Sequence, residues 1–142
     1  MSEAPPTRGI VLCHGTLAEG LVDAVRRITD VEEGALVAMS NASLSPDELT
    51  ARIREELVGG PAVVFTDLPS GSCGFAARRL CREKSDLAVI SGVNLPQLID
   101  FVMHRTLPLE RLVPRLLDRG RAAITCAPPE LEDHGRRAAS GG

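Results

Sequence analysis

An open, parallel α/β sheet with right-handed crossovers is the fold that the sequence predicts, and three observations carry it. Four short runs rich in β-branched residues are apolar on consecutive positions, without the in/out alternation of a half-exposed strand, as strands covered on both faces are. Longer amphipathic stretches with helix-start signals lie between them. The order strand then helix repeats four times, which a sheet with crossover helices satisfies.

The first strand is Gly9–Cys13, and Thr16-Leu17-Ala18-Glu19 reads as a capping box opening a helix that runs to about Thr29. The second strand is Ala35–Met39. Ser45-Pro46-Asp47-Glu48 is a second box, with proline at the first helical position, for a helix reaching about Val58. Ala62–Thr66 is the third strand, followed by a helix from about Ser72 to Glu83. Leu87–Ser91 is the fourth, followed by a helix from Asn94, as cap, to about His104. Leu109–Leu117 reads as a helix that Pro114 should break or kink, with Gly120 as its stop. Ala122–Ala127 is expected to form a fifth short strand. Residues 1–127 are thus read as one domain and 128–142 as a flexible tail.

Composition narrows the function. At 142 residues the chain can bury a substantial core. Three Phe, with no Trp or Tyr, argue against stacking platforms for single-stranded nucleic acid and against an aromatic sugar cleft. A net charge of -3 gives no overall pull towards nucleic acid or an anionic membrane. No apolar run approaches the roughly 20 residues of a spanning helix, and the N-terminus lacks a signal-peptide pattern, so a cytoplasmic protein is expected. Cys13, Cys73, Cys81 and Cys126 lack the spacings of zinc ribbons or redox motifs and are read as free thiols.

In open parallel sheets ligands gather outside the carboxyl ends of the strands. There the first strand ends in Cys13-His14-Gly15-Thr16 and runs into a helix start. The third ends in Thr66-Asp67, followed by the turn-rich Leu68-Pro69-Ser70-Gly71-Ser72. If these two strands are neighbours, about 4.8 Å apart, the Asp67 carboxylate reaches the His14 imidazole. That pairing suits a phosphoryl acceptor. A neutral imidazole is nucleophilic at cellular pH, and helix-start N–H groups favour an incoming negative charge. A carboxylate on one ring nitrogen fixes the tautomer and frees the other to attack. Gly15, Thr16, Gly71 and Ser72 are the expected phosphoryl-binding positions. Alternatives stay open at this level. His14 and Asp67 are also what a structural histidine and a turn cap look like. A Cys73–His14 nucleophile–base pair is geometrically possible, and a zinc site from His14, Asp67 and Cys73 lacks a fourth ligand and a diagnostic spacing. No metal or cofactor is expected.

Three segments in order resemble the mannose-type enzyme IIA domains of the bacterial phosphoenolpyruvate-dependent sugar phosphotransferase system. They are Gly9-Ile10-Val11-Leu12-Cys13-His14-Gly15-Thr16-Leu17-Ala18-Glu19-Gly20-Leu21, Phe65-Thr66-Asp67-Leu68 with Gly71-Ser72 and Ala76-Ala77, and Val89-Ile90-Ser91-Gly92-Val93-Asn94-Leu95-Pro96. The resemblance implies a flavodoxin-like three-layer sandwich of sheet order 2-1-3-4, plus a last antiparallel strand exchanged in a homodimer. It implies that His14 takes phosphate from an HPr-like histidine phosphocarrier protein and passes it to a IIB component for sugar uptake, meeting a membrane only through a permease complex. Asp67 then holds the imidazole and Ser72 lies near the phosphoryl group. The chain departs from the family's Gly-Gly-Ser-Pro loop with Ser70-Gly71-Ser72-Cys73, and Phe75 replaces an Asn. Serine accepts a positive φ poorly, so the loop is expected to take a different path. A regulatory phospho-acceptor module and a dihydroxyacetone-kinase phosphoryl donor are alternative uses of the same domain, and a flavodoxin-type small-molecule binder is a further one.

Overall fold

The computed structural model describes residues 5–133. Four parallel strands, β1 (Arg8–Cys13), β2 (Leu36–Ser40), β3 (Ala62–Thr66) and β4 (Leu87–Ser91), form one sheet in the order β2-β1-β3-β4. Its crossovers are α1 (Leu17–Ile28), α2 (Pro46–Glu56) and α3 (Ser72–Leu80), with α4 (Leu95–Met103) and α5 (Leu109–Ala122) following β4. The expected sheet order and the four strand-helix repeats are what the structure has.

The central strands β1 and β3 are buried on both faces because successive side chains feed different layers. Ile10, Leu12 and Val64 face α2 and α3, packing with Leu49, Ile53, Ala76 and Leu80. Val11, Val63 and Phe65 face the other way, against Val22 and Val25 of α1, Phe101 of α4 and Leu112 and Leu116 of α5. Phe65 and Phe101 meet edge to face with ring centroids 5.2 Å apart. Gly9 is where the sheet admits that second ring: a Cβ there would lie 2.6 Å from Phe101 Cε1.

Local signals behaved unevenly. Ser45 Oγ accepts the Glu48 N–H and Asn94 Oδ1 accepts the Gln97 N–H, so α2 and α4 start as expected. Thr16 does sit at the α1 N-cap, but its backbone (φ -98, ψ 8) is outside the extended region a cap needs, and its side chain makes no cap bond. The cause is Gly15, whose φ of +61 turns the chain sharply into the helix.

The C-terminal quarter corrects three expectations. Pro114 lies inside a continuous α5, because Leu112 and Leu116 are fully buried on either side of it and Arg115 holds Asp100 through two hydrogen bonds of 3.0 Å. Gly120 is not a stop but a contact: it lies within α5, and a Cβ there would meet Gln97 Nε2 at 2.6 Å. Ala122–Ala127 forms no strand among the described residues; the helix consumes Ala122, and 124–126 are exposed and unpaired by any ladder. Residues 129–133 make one exposed helical turn, and the rest of the expected tail, 134–142, lies outside the described residues.

Candidate functional site

The site forms because β1 and β3 are neighbours in register. Leu12 pairs with Thr66, so Cys13-His14 and Asp67 leave the sheet side by side at its carboxyl edge. Asp67 Oδ2 lies 2.9 Å from His14 Nδ1 and also accepts the His14 backbone N–H at 2.9 Å, while Oδ1 accepts the Leu68 N–H at 3.0 Å. One carboxylate therefore fixes the ring and the backbone that carries it. The Asp67 side chain is 11% exposed and the His14 side chain 43%, so the carboxylate is the sheltered partner and the ring the presented one. Burial opposes charge at Asp67, but the hydrogen bonds from the His14 backbone and ring and from Leu68, with the attraction of the imidazole, outweigh it and hold the carboxyl below its usual value.

With Nδ1 turned to Asp67, Nε2 is the nitrogen left to act. It looks towards Gly71, where a Cβ would lie 3.6 Å from both Nε2 and Cε1. Gly71 is the α3 N-cap at φ 92, ψ -178, a conformation essentially reserved for glycine, so no side chain intrudes on the ring there. Ser72 opens α3, and its Oγ accepts a 3.2 Å bond from Asn41 Nδ2. Gly15 and Thr16 make the exposed turn linking His14 to α1. All six expected positions thus stand at one edge of the sheet, with Thr16 short of the capping bond expected of it.

Asn41 was missed by the sequence reading. It follows β2, its N–H bonds the Cys13 carbonyl at 3.4 Å, and it ties the β2–α2 loop to Ser72. Its signal was its place at the carboxyl end of the strand beside β1. Also at this edge, Thr66 Oγ1 donates to the Leu68 carbonyl at 3.0 Å and lies 2.9 Å from Ser91 Oγ, bracing the turn from within. The Arg78 guanidinium donates to the Pro69 carbonyl and holds the same loop from outside.

The helix starts show a contrast that bears on charge. α2 and α4 are closed by Ser45 and Asn94, whereas α1 and α3, which flank His14, have no side-chain cap. In α1 the Leu17 N–H bonds the His14 carbonyl at 3.4 Å, and the positive ends of both helices face the same edge.

The thiols divide. Cys13 and Cys73 are buried, Cys81 and Cys126 exposed. Burial, reinforced by the charge of Asp67 and by Cys73, pushes Cys13 up to about 12; burial and Asp67 also raise Cys73. Neither is a ready nucleophile at neutral pH. Two cavities lie away from His14. One of about 420 Å³ is lined by Pro96, Ile99, Asp100, Met103 and His104 with the end of α5, and one of about 330 Å³ by Phe75, Arg78, Arg79 and Arg82. His14 is part-exposed, and of the segments that carry the site Leu17, Leu68 and Phe75 are exposed apolar residues at 48%, 53% and 60%. Among the described residues no helix is long and apolar enough to cross a membrane.

Known proteins agree with this architecture. The sequence profile of the EIIA-man family, described as the fructose IIA component of the phosphotransferase system, matches residues 9–112. No match is found among curated proteins. Among solved structures, the chain resembles phosphotransferase system component EIIA from Streptococcus agalactiae, with a TM-score of 0.79 and 24% identity over 84% of this chain and 96% of that one. It also resembles the mannose/sorbose-specific IIA subunit from Enterococcus faecalis (TM-score 0.76, 23% identity, 86% and 95% covered). A third is the IIA protein associated with the fucose utilization operon of Streptococcus pneumoniae (TM-score 0.74, 16% identity, 92% and 99% covered).

Proposed function

The chain belongs to the EIIA-man family of the sugar phosphotransferase system, and on that premise we propose that His14 Nε2 takes a phosphoryl group from an HPr-like phosphohistidine carrier and hands it to a IIB component. The observation that carries this reading is the orientation of the ring: Nδ1 is fixed to Asp67 at 2.9 Å, leaving Nε2 towards solvent beside Gly71.

The chemistry balances without a cofactor. The Nε2 lone pair of neutral His14 forms the new N–P bond as the donor's N–P bond breaks, and the donor imidazole leaves with that electron pair. Nδ1 keeps its proton, so the phosphorylated ring becomes a cation, and the ionised Asp67 stabilises it. The phosphoryl oxygens, carrying charge through the transfer, meet the uncapped starts of α1 and α3, with Gly15, Thr16, Gly71 and Ser72 as the nearest donors. The reverse step, onto the IIB component, uses the same contacts. A part-exposed histidine, with Leu17, Leu68 and Phe75 exposed on the segments that follow β1 and β3, suits a protein-borne donor, since a partner's surface can cover them and exclude water.

The test is direct. With phosphoenolpyruvate, enzyme I and the phosphocarrier protein, the chain gains an acid-labile, base-stable adduct of about 80 Da, and His14→Gln gains none. A wild-type chain left unmodified while a family member in the same mixture is labelled would overturn the proposal.

A further inference from the structure

His14, Asp67 and Cys73 each offer a ligand atom such that the three atoms lie within 4.8 Å of one another. No sequence spacing announces this set, because it is assembled from β1, the β3 end and the first turn of α3. We propose that these three side chains bind a borderline-soft divalent cation of the Zn²⁺ class, and that the bound cation shuts off phosphorylation of His14.

The donor set is right for such an ion: one imidazole nitrogen, one thiolate and one carboxylate oxygen, with a fourth position left to water on the exposed side of the ring. Bonds of about 2.0–2.3 Å at tetrahedral angles put ligand atoms roughly 3.3–3.6 Å apart. The 2.9 Å between His14 Nδ1 and Asp67 Oδ2 opens by a few tenths of an ångström, and the longest separation closes by about an ångström. Outer support already exists, because Leu68 N–H holds Oδ1 and His14 N–H holds Oδ2. Cys73 enters as the thiolate, its proton passing to solvent.

Exclusion of phosphate follows whichever ring nitrogen binds. If Nε2 is the ligand, its lone pair is consumed. If Nδ1 is the ligand, its proton must go, and the neutral ring then carries its hydrogen on Nε2. Either way the atom that attacks phosphorus has no electron pair to give. The cation site stands on geometry alone, whereas its effect on phosphorylation rests on the function proposed above.

The probe is Co²⁺, titrated into the full chain carrying Cys81→Ser and Cys126→Ser, which removes the two exposed thiols. One equivalent is expected to bind with a near-ultraviolet thiolate-to-cobalt charge-transfer band that Zn²⁺ abolishes. Cys73→Ser should remove the band, and His14→Gln, at a part-exposed position, should weaken binding at least about tenfold. Cobalt bound without the thiolate band, or with unchanged affinity in His14→Gln, overturns the site. Labelling from pre-phosphorylated carrier separates the two claims. A metal-free chain that labels and is blocked by one equivalent of Zn²⁺ supports both. Labelling unaffected by saturating Zn²⁺ overturns the exclusion, and no labelling without metal overturns the phosphoryl reading while leaving the cobalt result standing.

Discussion

Replacing Asp67 by Asn changes the site by one atom, and the structure says how much that atom matters. Oδ2 accepts two hydrogen bonds, from the His14 backbone and from Nδ1, and Oδ1 accepts one from Leu68. An amide has only one oxygen. With it in the Oδ2 position, the NH₂ group faces the Leu68 N–H. Turned the other way, the NH₂ group faces the His14 N–H and pushes the imidazole towards the tautomer with hydrogen on Nε2. Both orientations set donor against donor, at a cost of about 1–3 kcal/mol for the group left unmade. The stabilisation of the ring cation in the transfer is lost as well. At about 1.4 kcal/mol per factor of ten, phosphorylation of His14 should slow by roughly 10- to 100-fold. The measurement is the rate of adduct formation by quenched-flow mass spectrometry from pre-phosphorylated carrier. Wild-type rates in Asp67→Asn would refute the claim that this carboxylate sets the ring.

Two more predictions concern stability. Gly120→Ala inserts a methyl where Gln97 Nε2 already stands at 2.6 Å and donates to the buried Leu116 carbonyl, so overpacking of about 1–3 kcal/mol should exceed the helix-propensity gain of about 1 kcal/mol; calorimetry should show a lower Tm, and a raised one would contradict the packing role. Because the folded-state pKa of Asp67 is lowered, its contribution is present above the ordinary carboxylate range near 3.9 and is lost as pH falls through the lowered value. The gap between wild type and Asp67→Ala in denaturant midpoint should therefore narrow on acidification below about pH 4, and a pH-independent gap would sink that assignment.

What the sequence made legible was whatever depends on neighbours a few residues away. Consecutive apolar runs such as Val11-Leu12-Cys13 are enough to mark strands covered on both faces, and Ser45 and Asn94 mark helix starts because each cap closes within three residues. The pairing of His14 with Asp67 was legible too, once β1 and β3 are neighbours, because both residues follow immediately after their strands. The failures are long-range. Pro114 signals a break only if nothing holds the two halves together; Leu112, Leu116 and the Arg115–Asp100 pair do. Gly120 reads as a stop until Gln97, on another helix, is seen to need the space. Asn41 is marked only by its place after β2, since its meaning lies in Ser72, 31 residues further on.

The loop after Asp67 is held by contacts that its sequence does not announce. Because serine accepts a positive φ poorly, Ser70 was expected to give the loop a different path. Among the described residues the only non-glycine with positive φ is Ser43, so Ser70 carries no such strain, and Gly71 alone supplies the turn at φ 92. The proline that would have stiffened the helix start is replaced by Cys73, yet the loop is held at two other points: Arg78 on the Pro69 carbonyl and Asn41 on Ser72. Gly74 makes the first of these possible, because a Cβ there would lie 2.9 Å from the Pro69 oxygen and 3.0 Å from Arg78 Nη1. The side-chain clamp holds the loop from outside. It leaves position 73 free to carry a thiol towards His14, and that freedom is what places a third metal-ligating atom beside the imidazole–carboxylate pair.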